Sequence, residues 1–359
     1  MKKEPYLRIA KRNPLPVQKT VILYLAAILA AILAGGIFLL AVGCNPIEAY
    51  SKIIGGSLSN QKRIESTVVI AIPLVITSIG IMFAFKMKFW NIGAEGQIIM
   101  GGICASYFAL FHSNMNHWAL IGCMFLASIV GGGFWALIPA IFKVNFGTNE
   151  TLFTLMLNYV ALYLIQYLRE GPWIDPTSQG FPKIASFVEN ARLDKVGGVY
   201  FGWIIALLLV VFGFIYMKYS KHGYEVSVVG ESQNTARYAG MNVKRIVVRT
   251  MFISGAVCGI AGMCQVAGAH YTLGDSVAGG VGFTAIIVAW LACLNPFVIV
   301  IVSCLFAILE KGCGVMESTF AVSSEVSAVL QGLILFIILG FEFFKQYRII
   351  FRGKAGVRT

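Results

Sequence analysis

TVILYLAAILAAILAGGIFLLAVGCNPI, Thr20–Ile47, contains no Asp, Glu, Lys or Arg. A hydrocarbon core about 30 Å thick takes about 20 apolar residues at a rise of about 1.5 Å each, so this stretch alone can cross a bilayer. It has company. Charge-free stretches recur at Ser66–Phe85, Thr151–Leu168, Tyr200–Met217, Thr250–Ala269 and Val326–Phe341. Two more are too long for one crossing. The polar knot His112-Ser113-Asn114-Met115-Asn116-His117 divides Gly96–Phe142 into spans near Ile98–Phe111 and Trp118–Phe142. Asn295-Pro296 divides Ser276–Leu309, because proline removes a backbone donor and restricts its neighbour, leaving spans near Gly280–Leu294 and Phe297–Leu309. The expected fold is all-α and polytopic, with about ten transmembrane helices.

Composition agrees. Of the 359 residues, 58% are hydrophobic and 12% charged, and the mean hydropathy is +0.80, against roughly a quarter charged in soluble domains. That excludes a water-soluble enzyme, a disordered chain, a disulfide-stapled secreted module and a nucleic-acid binder. Ten spans place both termini on one side. With the N-terminus inside, 20 of the 28 basic residues fall in cytoplasmic segments, as the positive-inside rule requires. The chain then divides into a basic cytoplasmic N-terminus (1–19), a transmembrane domain (20–344) and a basic cytoplasmic C-terminus (345–359). The apolar stretch near the start runs well past the about 7–15 residues of a signal-peptide core, which argues against a cleaved leader. The eight cysteines lie in or beside spans and none forms a CxxC; they read as small apolar packing residues. His112 and His117 lack a third ligand, so no metal site is expected.

Two connections are long. The external loop 169–199 carries both signs of charge and three prolines, and reads as a partner surface or as a lid tying two helices together. The cytoplasmic loop 218–249 contains Gly230-Glu231-Ser232-Gln233-Asn234-Thr235-Ala236-Arg237-Tyr238-Ala239-Gly240. Ser232 can cap a short helix and Gly240 can end it in the left-handed conformation. About two turns result, with small Ala236 and Ala239 and exposed Glu231, Arg237 and Tyr238. Such a helix is too short to stand alone in water; bedded on the cytoplasmic face it is a knob for a partner's groove.

This segment resembles the coupling helix of an ATP-binding-cassette importer permease. Phe89-Trp90-Asn91-Ile92-Gly93-Ala94-Glu95-Gly96-Gln97 resembles the FNIGAEGQ signature of the simple-sugar and nucleoside branch of that family. Gly147-Thr148-Asn149-Glu150, followed by Leu155-Met156-Leu157-Asn158-Tyr159, resembles its GxNE…MLNY block, and Gly280-Val281-Gly282-Phe283-Thr284-Ala285-Ile286-Ile287-Val288-Ala289 its GxGFxxIAVALLG stretch. The four blocks run in family order from about residue 89 to 296. The last departs from the pattern at Thr284, where an acidic residue is usual, and at Ala292-Cys293-Leu294.

The resemblance implies a type II-importer-like permease of the bacterial cell membrane, N-in and C-in, for nucleosides (purine ones first) or a related sugar-containing solute. It further implies coupling to an ATPase through Glu231, Ser232, Asn234, Ala236, Arg237, Tyr238, Ala239 and Gly240. The implied partners are a cytoplasmic ATPase that binds ATP and Mg, a second, related permease chain, and an extracytoplasmic substrate-binding lipoprotein, all set in membrane lipid. This chain itself needs no cofactor: it has no Gly-x-x-x-x-Gly-Lys-Ser/Thr sequence to cradle phosphates, and no nucleophile–base set.

Polar groups at membrane depth mark a pathway or an internal bond network. Asn91, Glu95 and Gln97 therefore read as a gate or as a network at a helix start. Asn149 and Glu150 read as a helix start or a pathway lining, Asn158 as an interhelical bond or a solute contact, and Gln265 as a group that an incoming solute meets. Gly255, Gly259 and Gly262 read as a close-packing face. A transporter driven by an ion gradient is the competing class; it leaves the Gly230–Gly240 segment without a purpose.

Overall fold

The computed structural model describes residues 7–11, 16–178 and 180–351. Strand β1 (Leu7–Lys11) leads into helices α1 (Val17–Ala41), α2 (Pro46–Leu58), α3 (Gln61–Lys86), α4 (Ala94–Phe111), α5 (His117–Phe146) and α6 (Glu150–Glu170). The short strands β2 (Lys195–Val196) and β3 (Val199–Tyr200) precede α7 (Gly202–Tyr219), α8 (Lys221–Glu231), α9 (Gln233–Tyr238) and α10 (Val243–Cys264). A π-helical turn, Gln265–His270, prolongs α10. Then come α11 (Val281–Leu291), α12 (Pro296–Phe320), α13 (Ser324–Gln346) and β4 (Tyr347–Phe351).

Among the described residues nine helices are long and apolar enough to cross a membrane: α1, α3–α7, α10, α12 and α13. The expected span at Gly280–Leu294 is the exception: α11 has 11 residues, about 16 Å and about half a crossing. Parity shows what completes it. β1 pairs antiparallel with β4, Leu7 opposite Phe351 and Lys11 opposite Tyr347, so both ends of the described chain lie on one side and the number of crossings is even. With nine full spans, residues 271–291 supply the tenth as an irregular segment followed by a half-helix. The segment is irregular for a local reason: Gly279 and Gly280 both have positive φ, 54° and 82°, and cannot continue a helix.

Two other boundaries differ from expectation. The Thr20–Ile47 stretch breaks at Gly43 (φ 84°). Asn45 then caps a new helix by accepting from Ile47 N at 3.0 Å, with Pro46 at its first position, where a missing N–H costs nothing. The helix expected to end near Leu309 continues to Phe320, so Glu310 and Lys311 lie within α12. Gly312 permits this, since a Cβ there would sit 2.3 Å from the Ile53 carbonyl oxygen.

The chain forms two compact units. In Asn60–Ala307, α3, α4, α5 and α10 pack together and are closed by glycine contacts. A Cβ on Gly101 would lie 2.3 Å from the Gly259 Cα, and one on Gly132 2.3 Å from the Gly255 oxygen. The glycine face anticipated on α10 thus brings backbones together directly, where dispersion replaces the missing hydrophobic drive. In the other unit, Met1–Ser59 with Ile308–Thr359, α1 packs on α13, and α2 folds back along α1 with Tyr50 Oη donating to the Ile32 oxygen at 2.7 Å. Leu39, Cys44, Ile53, Cys313, Met316 and Leu330 form its core.

Candidate functional site: a capped short helix and a buried amide network

α8 and α9 are joined at Ser232, whose backbone is extended (φ −157°, ψ 116°). Its Oγ accepts from Thr235 N at 3.2 Å, satisfying one of the free donors at the start of α9. At the other end Gly240 adopts φ 75° and Met241 N closes onto the Ala236 oxygen at 3.0 Å. Ala236 is fully buried. Glu231, Asn234, Arg237, Ala239 and Gly240 are exposed, and Tyr238 is 93% exposed. The helix therefore rests on one methyl group and presents everything else outward.

α8 supplies the bedding. Glu225 accepts from Arg249 at 2.8 Å, with His222 3.5 Å away; the Arg249 bond, helped by His222, holds the Glu225 carboxyl below its ordinary range despite partial burial. At the end of α8, Gly230 lies on the Lys86 carbonyl so closely that a Cβ would come within 2.0 Å. Beside this contact is a cavity of about 190 Å³ lined by Lys88, Lys143, Lys244, Arg237, Glu150 and Gln233 among others. Four cations face one carboxylate there.

The turn that follows α3 is held by amides. Asn91 Oδ1 accepts from Gly93 N at 3.0 Å and from Gln97 Nε2 at 3.2 Å. Its Nδ2 donates to Gln97 Oε1 at 3.3 Å and reaches Ser254 Oγ on α10 at 3.5 Å. Asn158 Oδ1 accepts from Gly96 N, and its Nδ2 donates to the Ile92 oxygen, both at 2.9 Å. Thr154 Oγ1 accepts from Ile92 N at 3.2 Å. Asn91, Gln97 and Asn158 thus form one network that binds the turn to α6 and α10 and leaves its irregular backbone satisfied, as burial demands.

Glu95 points away from that network. Its two carboxylate oxygens accept from Gly280 N and Gly282 N, each at 2.7 Å, so one side chain caps the half-helix α11 where the dipole favours negative charge. Glycine is required on the other side, since a Cβ on Gly282 would sit 2.4 Å from Glu95 N. Asn149 caps α6 by accepting from Thr151 N at 3.0 Å and Leu152 N at 3.2 Å. Glu150 pairs with Lys143 at 2.6 Å across the α5–α6 turn. Gln265 is buried at the start of the π-helical turn, remote in sequence and in bonding from the others.

Loop 169–199 is folded rather than free. Arg169 joins Asp275, His117 meets Asp194 at 3.3 Å, Phe187 N donates to the Tyr271 oxygen at 2.7 Å and Leu193 N to the Ala267 oxygen at 2.9 Å. Sequence reasoning left out Thr154, Ser254 and the glycine pair that receives Glu95. It also left out a ring cluster of Phe85, Trp90 and Trp290, whose signal was present in the adjacency of Trp90 to Asn91 and of Trp290 to the end of the fourth block.

Three relatives align over most of the chain. A glucose ABC transporter permease protein of Haloferax volcanii, TsgB13, is 31% identical over 90% of this chain and 88% of its own. A nucleoside ABC transporter permease protein of Lactococcus lactis, NupB, is 29% identical over 90% and 92%. A guanosine ABC transporter permease protein of Bacillus subtilis, NupP, is 29% identical over 87% and 90%. The model of the branched-chain amino acid transport system / permease component family matches residues 63–339, a stretch that holds the capped helix, the amide network and the half-helix, and the chain belongs to that family.

Proposed function

We propose that this chain is the membrane-spanning subunit of an ATP-driven importer that carries nucleosides, purine nucleosides first, or a related sugar-containing solute, across the bacterial cell membrane. The observation that carries this reading is the exposed, doubly capped helix at residues 233–238. It has no packing role that would explain the exposure of Tyr238, and an exposed tyrosine on a rigid turn is the kind of anchor that partner grooves bury. Membership of a permease family and the named activities of the relatives, glucose among them, support a nucleoside or sugar as the solute.

In this reading a separate ATPase, holding ATP and Mg, receives Glu231–Gly240 in a groove, and the chain itself carries no cofactor. A second, related permease completes the path, and an extracytoplasmic binding lipoprotein delivers solute to the surface made by loop 169–199. In this reading segments 1–19 and 345–359 flank the permease domain 20–344 on the cytoplasmic side; residues 1–6, 12–15 and 352–359 of these flanks lie outside the described residues. Among the polar candidates Glu95 lies closest to the path, because it holds the half-helix. Asn91, Gln97 and Asn158 position the turn that carries it, Asn149 and Glu150 brace α6 beside the coupling helix, and Gln265 acts at the outer end.

Uptake of labelled guanosine and labelled ribose by cells with and without the chain, with ATP depleted in parallel, tests the reading. Guanosine uptake that needs both the chain and ATP is the expected result; uptake that follows the ion gradient overturns it. Tyr238→Ala should leave the protein in the membrane and weaken its association with the ATPase about tenfold or more, measured by co-purification from detergent. Unchanged association would remove the coupling role.

A further inference from the structure

Trp90 and Trp290 stack with ring centroids 5.7 Å apart and planes inclined by 24°. Phe85 closes the third side, 5.7 Å from each. Phe85 is buried, whereas Trp90 is 47% exposed and Trp290 partly so. α11 buries Val281, Gly282, Ala285, Val288 and Ala289, leaves Phe283 exposed and covers Thr284, Ile286, Ile287 and Trp290 only in part. That face begins beside the Glu95 carboxylate and its glycine partners, and Trp290 stands two turns along it. A carboxylate, a hydroxyl and irregular backbone at this depth are tolerated where they are buried in protein or line a watered space, not where they meet hydrocarbon; here Glu95 and Thr284 find their partners in Gly280 and Gly282, and the rings beyond them stay partly open.

Resting on the nucleoside-importer reading above, we propose that Trp90 and Trp290 form an aromatic subsite for the planar base of the solute, near the cytoplasmic end of the path. Indole faces bind bases by stacking, and do so without reading which base is present. The two rings close on each other when no base lies between them. Each is carried by a segment that can shift without unwinding a helix. Trp90 follows Lys88, a left-handed residue (φ 57°), and Trp290 precedes Cys293 and Leu294, left-handed in succession (φ 50° and 56°). The Trp90 carrier is also the one on which the coupling segment rests, through Gly230 against the Lys86 carbonyl and through the cavity shared by Lys88, Gln233 and Arg237. Movement of α9 is thereby delivered to one ring of the stack.

The test uses the whole transporter, both permeases with ATPase and binding protein, in liposomes supplied with ATP and labelled guanosine. Trp290→Leu should cut guanosine uptake at least about fivefold with the complex still eluting intact, and Trp290→Phe should recover most of it. Uptake within about twofold of wild type in Trp290→Leu overturns the subsite in favour of rings that face lipid. Equal loss in Trp290→Phe and Trp290→Leu, or release of the second permease on gel filtration, overturns it in favour of a packing contact between subunits. Wild-type liposomes that carry ribose but no guanosine would refute the nucleoside reading itself, visibly and before any variant is compared.

Discussion

The turn after α3, residues 87–93 with the start of α4, and the helix at 233–238 are neighbours through α8, whose Gly230 lies against Lys86 and Met87, yet they are built in opposite ways. The turn is over-determined: Asn91, Gln97, Asn158 and Thr154 assign a partner to its backbone groups and to each other. The helix is under-determined, held by one serine cap, one left-handed glycine and one buried methyl group. Amides and backbone groups buried among helices, as at Asn91, Gln97 and Asn158, have no water to fall back on, so their hydrogen bonds must be complete within the chain. A segment in the cytoplasm can leave its surface for a partner to finish. The contrast separates what the fold must guarantee alone from what it leaves to assembly.

Changes on the turn side should be the costlier. Asn158→Ala strips the Gly96 N–H and the Ile92 carbonyl of their partners at once, and should lower stability by about 2–3 kcal/mol, read as a lower melting temperature in detergent. A melting point equal to wild type would mean that the turn is not held as described. On the helix side Gly240→Ala places a Cβ on a left-handed residue, at about 1 kcal/mol. Hydrogen exchange over 233–241 should speed up about fivefold while the melting temperature stays put. The smallest effect is electrostatic. The Glu225 carboxyl is held below its ordinary range by Arg249, so its bond to α10 contributes fully above the ordinary carboxylate pKa and is lost as pH falls through the depressed one. Exchange in α8 should be flat from about pH 7 to about pH 4.5, after correction for intrinsic rates, and rise below; Glu225→Gln should abolish that rise.

Spans were legible because the only information needed was a missing charge over about 20 residues, and the splits at His112–His117 and Asn295-Pro296 fell where helices end and begin. Ser232 and Gly240 were legible for a related reason, since a cap is a local event. What could not be read was anything that depends on a partner distant in sequence. Glu95 meets Gly280 and Gly282 across 185 and 187 residues, and no local pattern says that a carboxylate at the start of one helix will cap another. The half-length of α11 was hidden in the same way, because Gly279, Gly280, Cys293 and Leu294 count as small or apolar residues in a hydropathy sum and as helix terminators only through their positive φ. Loop 169–199 draws part of its order from α5 and the π-helical turn, partners that its own sequence does not announce.

The ribbon of β1 on β4 and the packing of α1 on α13 have a bearing on how the molecule is made. α1 enters the membrane long before α13 has been synthesised, so its contact face stays unclaimed while the unit Asn60–Ala307 is assembled. The glycine-packed bundle can therefore mature as an independent piece, with the other unit bringing its own two halves together only at the end of translation. A ribosome stalled before Ser324 would leave a finished glycine-packed bundle joined to an α1 without its α13 partner, a species that membrane quality control could recognise by that one uncovered face.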